Sequence, residues 1–127
     1  MSLNRMIMGV GFGLGLLLAG CGGMSDTEIA LFKARAAVEN AMTNQAASYA
    51  SERLFEAQTE LTAAEDLAAA GQKKEAIGLA ESARLKARQA SALATEGRLQ
   101  TQAEERAEEA AEEAAEQEAE LEAEEDA

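Results

Sequence analysis

The chain has 127 residues, 47% of them apolar but only four aromatic, with no proline, no histidine and a formal net charge of −13. At that length it forms one domain at most. Alanine dominates the apolar fraction and buries too little area, at roughly 25 cal/mol per Å², for a thick globular core. Without histidine the usual general base and the commonest metal ligand are missing, and the acid excess argues against nucleic-acid binding.

The N-terminus reads as a targeting segment. Arg5 supplies a positive start, and Met6 to Leu18 is entirely apolar or glycine. That run is too short to span a bilayer as a helix, which needs about 20 residues. Leu18, Ala19 and Gly20 then lead into Cys21, the only cysteine of the chain. A single thiol cannot form an internal disulfide. Leu18-Ala19-Gly20-Cys21 resembles the lipobox of bacterial lipoproteins. The resemblance implies a signal peptide over 1–20 that is cleaved, with Leu18, Ala19 and Gly20 fitting the signal peptidase. The Cys21 thiol then takes a diacylglycerol and its freed amine an acyl chain. No other cofactor is expected. Each buried CH₂ adds about 0.8 kcal/mol, and stable anchoring takes more than one chain. By resemblance to Gram-negative lipoproteins, Gly22 is the sorting residue. It stands where inner-membrane members carry aspartate, which implies an outer-membrane lipoprotein facing the periplasm. Residues 21–25 form the anchor and a short flexible tether.

From Ser25 the pattern turns helical. Ser25 and Glu28 make a capping box, and the first helix is expected to run to about Ala70. Gly71 follows three alanines and fits the position that closes a helix. A second helix is expected from about Lys73. Gly78 and Gly97 lie inside it at a cost of roughly 1 kcal/mol each, as points of close approach or as weak points. Ala47, Ala50, Leu54, Ala57, Leu61, Ala64 and Ala68 share one face of the first helix. Ala76, Ala80, Ala83, Ala87, Ala90 and Ala94 share one face of the second. Leu31, Val38, Met42 and Tyr49 continue a drifting stripe upstream. The fold class expected is all-α: a long antiparallel two-helix hairpin over 26–102, coiled-coil-like, with an alanine seam. Opposite charge agrees, since 26–70 carries net −5 and 73–98 net +3.

Residues 103–127 are a different polymer, with twelve glutamates and Asp126 against Arg106 alone. Glutamates recur at i and i+4, which opposes the helix, while the alanines favour it. A helical or frayed acidic extension is expected, serving as a solubility tail, a docking strip for a basic partner or a diffuse cation sponge. There is no calcium-loop spacing and no metal site is expected. A hairpin turning at Gly71-Gln72, with arms of about 65 Å at 1.5 Å per residue, sets Tyr49 near Ala94. It also sets Lys33 and Arg35 near Glu108, Glu109 and Glu112, and brings the tail back toward the anchored end.

The stretches "KARAAVENA" (33–41) and "ASYASERLFEAQTELTAAEDLAAAGQKKEAIGLAESARLKARQA" (47–90), with the lipobox, resemble a bacterial domain-of-unknown-function family. Its members are alanine-rich helical-hairpin envelope lipoproteins, sometimes fused to OmpA-like domains. The resemblance implies an envelope protein without catalysis. This chain carries Lys73 or Lys74 where members have an aromatic after the turn, and the acidic tail where an OmpA-like domain would stand. "GQKKEAIGLAESA" (71–83) also resembles part of one tetratricopeptide repeat, but at least three repeats are needed for a groove. Ser48, Tyr49 and Ser51 cluster without a base that would activate a hydroxyl, so no enzyme and no small-molecule substrate is expected. The function expected is a lipid-anchored spacer or adaptor in the periplasm, with an envelope protein as partner. The alternatives are a self-assembling helical oligomer or a single tetratricopeptide-like hairpin that docks a partner.

Overall fold

A computed structural model describes residues 22–127. The described chain is all-helical: α1 (Asp26–Thr43), the single turn α2 (Ala46–Tyr49), α3 (Ser51–Ala69) and the long α4 (Lys73–Glu125). Among the described residues there is no strand.

Capping sets the boundaries. Ser25 is the N-cap of α1, where the Glu28 amide donates to its hydroxyl at 3.3 Å and its own amide donates to the Glu28 carboxylate at 2.8 Å. This is the expected capping box, and it satisfies two amides that a helix start leaves free. At the other turn, Gly71 adopts φ +80°. Its amide donates to Ala68 and the Gln72 amide donates to Leu67. That pair of bonds is a Schellman closure, which glycine makes without steric cost.

The first arm is not one helix. α1 stops at Thr43, Asn44 caps it, and Gln45 takes the left-handed conformation at φ 66°. Ala50, at φ −146°, separates α2 from α3. The expectation of an unbroken helix to Ala70, and of a two-helix hairpin built on it, is corrected here. Through this break α1 folds back beside α3, so three helices pack where two were expected. One apolar cluster joins Val38 and Ala41 of α1, Leu54 and Ala57 of α3, and Ala87 and Ala90 of α4. Another joins Leu31 and Ala34, Ala64, and Ala80 and Ala83. Residue numbers rise together in α1 and α4 and fall in α3. Hence α1 runs parallel to α4 and antiparallel to α3.

The packing face of α4 is the expected one. Ala76, Ala80, Ala83, Ala87, Ala90 and Ala94 are all fully buried. Alanine there lets the axes approach toward the short end of the roughly 8–10 Å range. On the first arm Ala50, Leu54, Ala57 and Ala64 are buried, and Leu61 and Ala68 partly so. Ala47 is exposed and Ala46 is buried in its place, because the break at Gln45 rotates the short turn by about one residue.

Beyond Ala94 no residue is buried, and from Gln102 onward every residue is exposed. α4 nevertheless continues unbroken to Glu125. At 1.5 Å per residue its 53 residues span about 80 Å. The start of α1 lies at the Lys73 end of α4, and the extension leaves the bundle at the opposite end.

Candidate interaction surface

Leu18, Ala19, Gly20 and Cys21 lie outside the described residues. Gly22 lies within them, exposed and non-helical, three residues ahead of the Ser25 cap. The Ser25 backbone amide, and then its hydroxyl hydrogen bond, hold the Glu28 carboxyl below the usual carboxylate range, and the charge of Lys73 adds to this. The first turn of α1 lies beside the start of α4, where Asp26, Ile29 and Ile77 line one groove. Among the described residues no helix is long and apolar enough to cross a membrane.

Tail residues 103–127 form the far end of the molecule. They are helical to Glu125 and fully solvated. Their glutamates point outward all round the helix, against one internal base, Arg106. Among the described residues no group of three or more Cys, Asp or Glu is placed to hold a metal ion.

The three-helix arrangement overturns the expected pairing of Lys33 and Arg35 with Glu108, Glu109 and Glu112. Arg35 Nε instead donates to Glu65 Oε1 of α3 at 2.6 Å. Lys33 lines a groove between α1 and α4 with Ile29, Ile77, Glu81 and Arg84. The tail does not return toward the N-terminal end. It projects away from it, because α1 lies parallel to α4.

Where α4 leaves the bundle, Tyr49 packs on Gly97. A Cβ at position 97 would lie 2.8 Å from Tyr49 Cδ1 and 3.2 Å from Cγ. Gly97 is therefore a point of close approach, one turn from the Ala94 position expected for Tyr49. Gly78 has nothing within 4 Å of its would-be Cβ, so packing does not require it.

Two further polar joints tie the bundle together, and the sequence pattern did not reveal them. Asn44 Nδ2 donates to Asn40 Oδ1 at 3.1 Å and to the Ser91 hydroxyl, which itself donates to Asn40 at 3.3 Å. Asn44 as a helix-ending residue was the available signal. The second joint is Lys86 of α4, bonded to Glu60 of α3 and 3.7 Å from Glu56, which also accepts from Arg53 at 2.7 Å. Partial burial pushes the Glu60 carboxyl up. The hydrogen bond from Lys86, a weaker pull from Ser82 and the Lys86 charge together outweigh it, so the carboxyl sits below the usual range. The Glu60 hydrogen bond correspondingly raises Lys86. Glu60 Oε2 is buried without a hydrogen-bond partner.

Chemically, the arrangement offers a compact bundle that fixes one end of a long helix and a free anionic strip at the other end. No family model, no curated protein and no solved structure matches the chain.

Proposed function

We propose that this chain is a lipid-anchored, non-enzymatic protein of the cell envelope, a periplasmic spacer or adaptor held to the outer membrane through Cys21. The observation that carries the reading is the polarity of the molecule. The segment that follows Cys21 enters the bundle at one end, and the acidic extension leaves it at the other. A diacylglycerol and an acyl chain on Cys21 fix the near end. The far end of α4 then stands up to about 80 Å away. The Debye length is about 8–10 Å near physiological salt, so the strip carries its charge independently of the membrane that holds it.

The bundle serves as the stem and the acidic extension, or the bundle face, as the contact for an envelope partner. Neither a small-molecule substrate nor nucleic acid enters this reading. The resemblance to alanine-rich helical envelope lipoproteins supports it, with the stem built from three helices rather than two.

The test is metabolic labelling of the full chain with a clickable palmitate analogue, followed by membrane fractionation. Label that is lost in Cys21→Ser, with loss of the protein from the outer-membrane fraction, is the expected result. Membrane association that survives Cys21→Ser without label would end the anchored-spacer reading.

A further inference from the structure

We infer that the outer face of α4 is a self-complementary docking surface on which a second copy of this chain binds antiparallel, centred on Ala103. This goes beyond the anchored-spacer reading and rests on α4 alone.

The observation is a stripe on the side of α4 that faces away from α1 and α3. Leu85, Leu99 and Leu121 are 58%, 58% and 62% exposed. Leu85 and Leu121 are separated by ten turns at 3.6 residues per turn, so they share one face. Ala92, Ala103, Ala107 and Ala114 fill the same face between the leucines, and all are exposed. Exposed leucines thus share one face over about 54 Å, while Leu93, 48% exposed, lies off it in the groove beside Tyr49.

The spacing of the stripe is symmetric about Ala103, and its residue types match except at Leu99 and Ala107. Its steps run 7, 7, 4, then 4, 7, 7 residues. Set antiparallel on a second copy, Leu85 meets Leu121, Ala92 meets Ala114, Leu99 meets Ala107, and Ala103 meets itself. Gln89 meets Gln117 in the same frame, and Glu96 meets Ala110. A two-fold interface needs this property, because one surface must fit its own rotated image.

Charge selects the antiparallel sense. A parallel pair would set two tails of net −12 side by side. The antiparallel pair sets each tail against the bundle half of its partner. There residues 73–98 of the partner carry net +3. Among the described residues Arg84, Arg88 and Arg98 of that segment make no ion pair within their own chain. The two N-terminal ends then lie about 90 Å apart. An anchored pair therefore lies along one membrane or ties two facing membranes.

Single-cysteine crosslinking of the full chain in a Cys21→Ser background tests the register. Under mild oxidation Ala103→Cys is expected to form a disulfide-linked dimer. Ala92→Cys is expected to link only when mixed with Ala114→Cys. Adding Leu85→Glu and Leu121→Glu is expected to cut the Ala103→Cys dimer at least tenfold with helicity unchanged, since both side chains are exposed. Ala92→Cys linking to itself as readily as to Ala114→Cys would overturn the proposal. So would no link at Ala103, or a link that persists in the double-glutamate variant.

Discussion

The two halves of α4 have similar alanine content and opposite surroundings. From Ala76 to Ala94 six alanines are fully buried. From Ala103 to Ala123 every alanine is exposed, on the same continuous helix. What separates the halves is the partner. α1 and α3 bring Leu31, Val38 and Leu54, all buried, with Leu61 partly buried beside them. These larger side chains supply the apolar area, and the alanines supply the close approach. An alanine stripe permits packing without providing anything to pack against. The extension stays helical through the high helix propensity of alanine, against repulsion between glutamates four apart.

The largest test of this contrast truncates one leucine in each half. Leu54→Ala removes a side chain that is 5% exposed and is expected to cost about 2–5 kcal/mol. Leu121→Ala, in the extension, is expected to change the stability of the monomeric bundle, measured at protein concentrations too low for pairing, by less than about 0.5 kcal/mol. Thermal unfolding followed by circular dichroism reads both. Equal losses would mean that the extension shares the core of the bundle.

The two glycines of α4 sharpen the same comparison at the boundary. Gly78→Ala meets no atom within 4 Å and is expected to stabilise by about 1 kcal/mol through helix propensity alone. Gly97→Ala gains the same propensity but drives a methyl into the near end of Tyr49, so its net effect is expected to be a loss. The double variant Gly97→Ala with Tyr49→Ala should recover the propensity gain relative to Tyr49→Ala alone. A double-mutant cycle measures that coupling, and additive effects would remove Tyr49 as the reason for the glycine.

The residues that proved legible were those whose physics is local. The Ser25–Glu28 box, the Gly71 closure and the six-alanine face of α4 depend on spacing and propensity, and all stand where the pattern put them. The break at Gln45 did not show, because a left-handed residue is usually glycine and here it is glutamine at φ 66°. Missing that break doubled the apparent length of the first arm, so the pairings of its upstream half failed, while Leu54, Ala57 and Ala64 of α3 still meet the α4 alanines and Tyr49 lies one turn from its expected place. Lys33 and Arg35 were set against the tail when their neighbours are on α3 and α4. The tail itself was legible as a charged segment, but its direction depends on α1 lying parallel to α4. No periodicity encodes that, since it follows from tertiary contacts across the break.

The smallest expected effect concerns Lys86 and Glu60, a joint that only the bundle half of α4 makes. Glu60 is held below its ordinary value of 4.5 and Lys86 above its ordinary 10.5. A carboxyl lowered on folding stabilises the fold above its unfolded value, and that contribution is lost as pH falls through the folded value. An amine raised on folding stabilises it below its unfolded value, and that contribution is lost as pH rises through the folded value. The joint therefore contributes fully between about pH 4.5 and 10.5, and fades outside both limits. Glu60→Gln keeps the shape and removes the charge. Its deficit in unfolding free energy is expected to be widest at neutral pH, and to close in acid and again in strong alkali. Denaturant titrations across that range measure the gap. The Arg35–Glu65 pair lies largely in solvent, with side chains 57% and 37% exposed, so Glu65→Gln should leave a smaller gap. A Glu60→Gln deficit that stays constant with pH would assign the effect to packing around the buried Oε2 rather than to the ion pair.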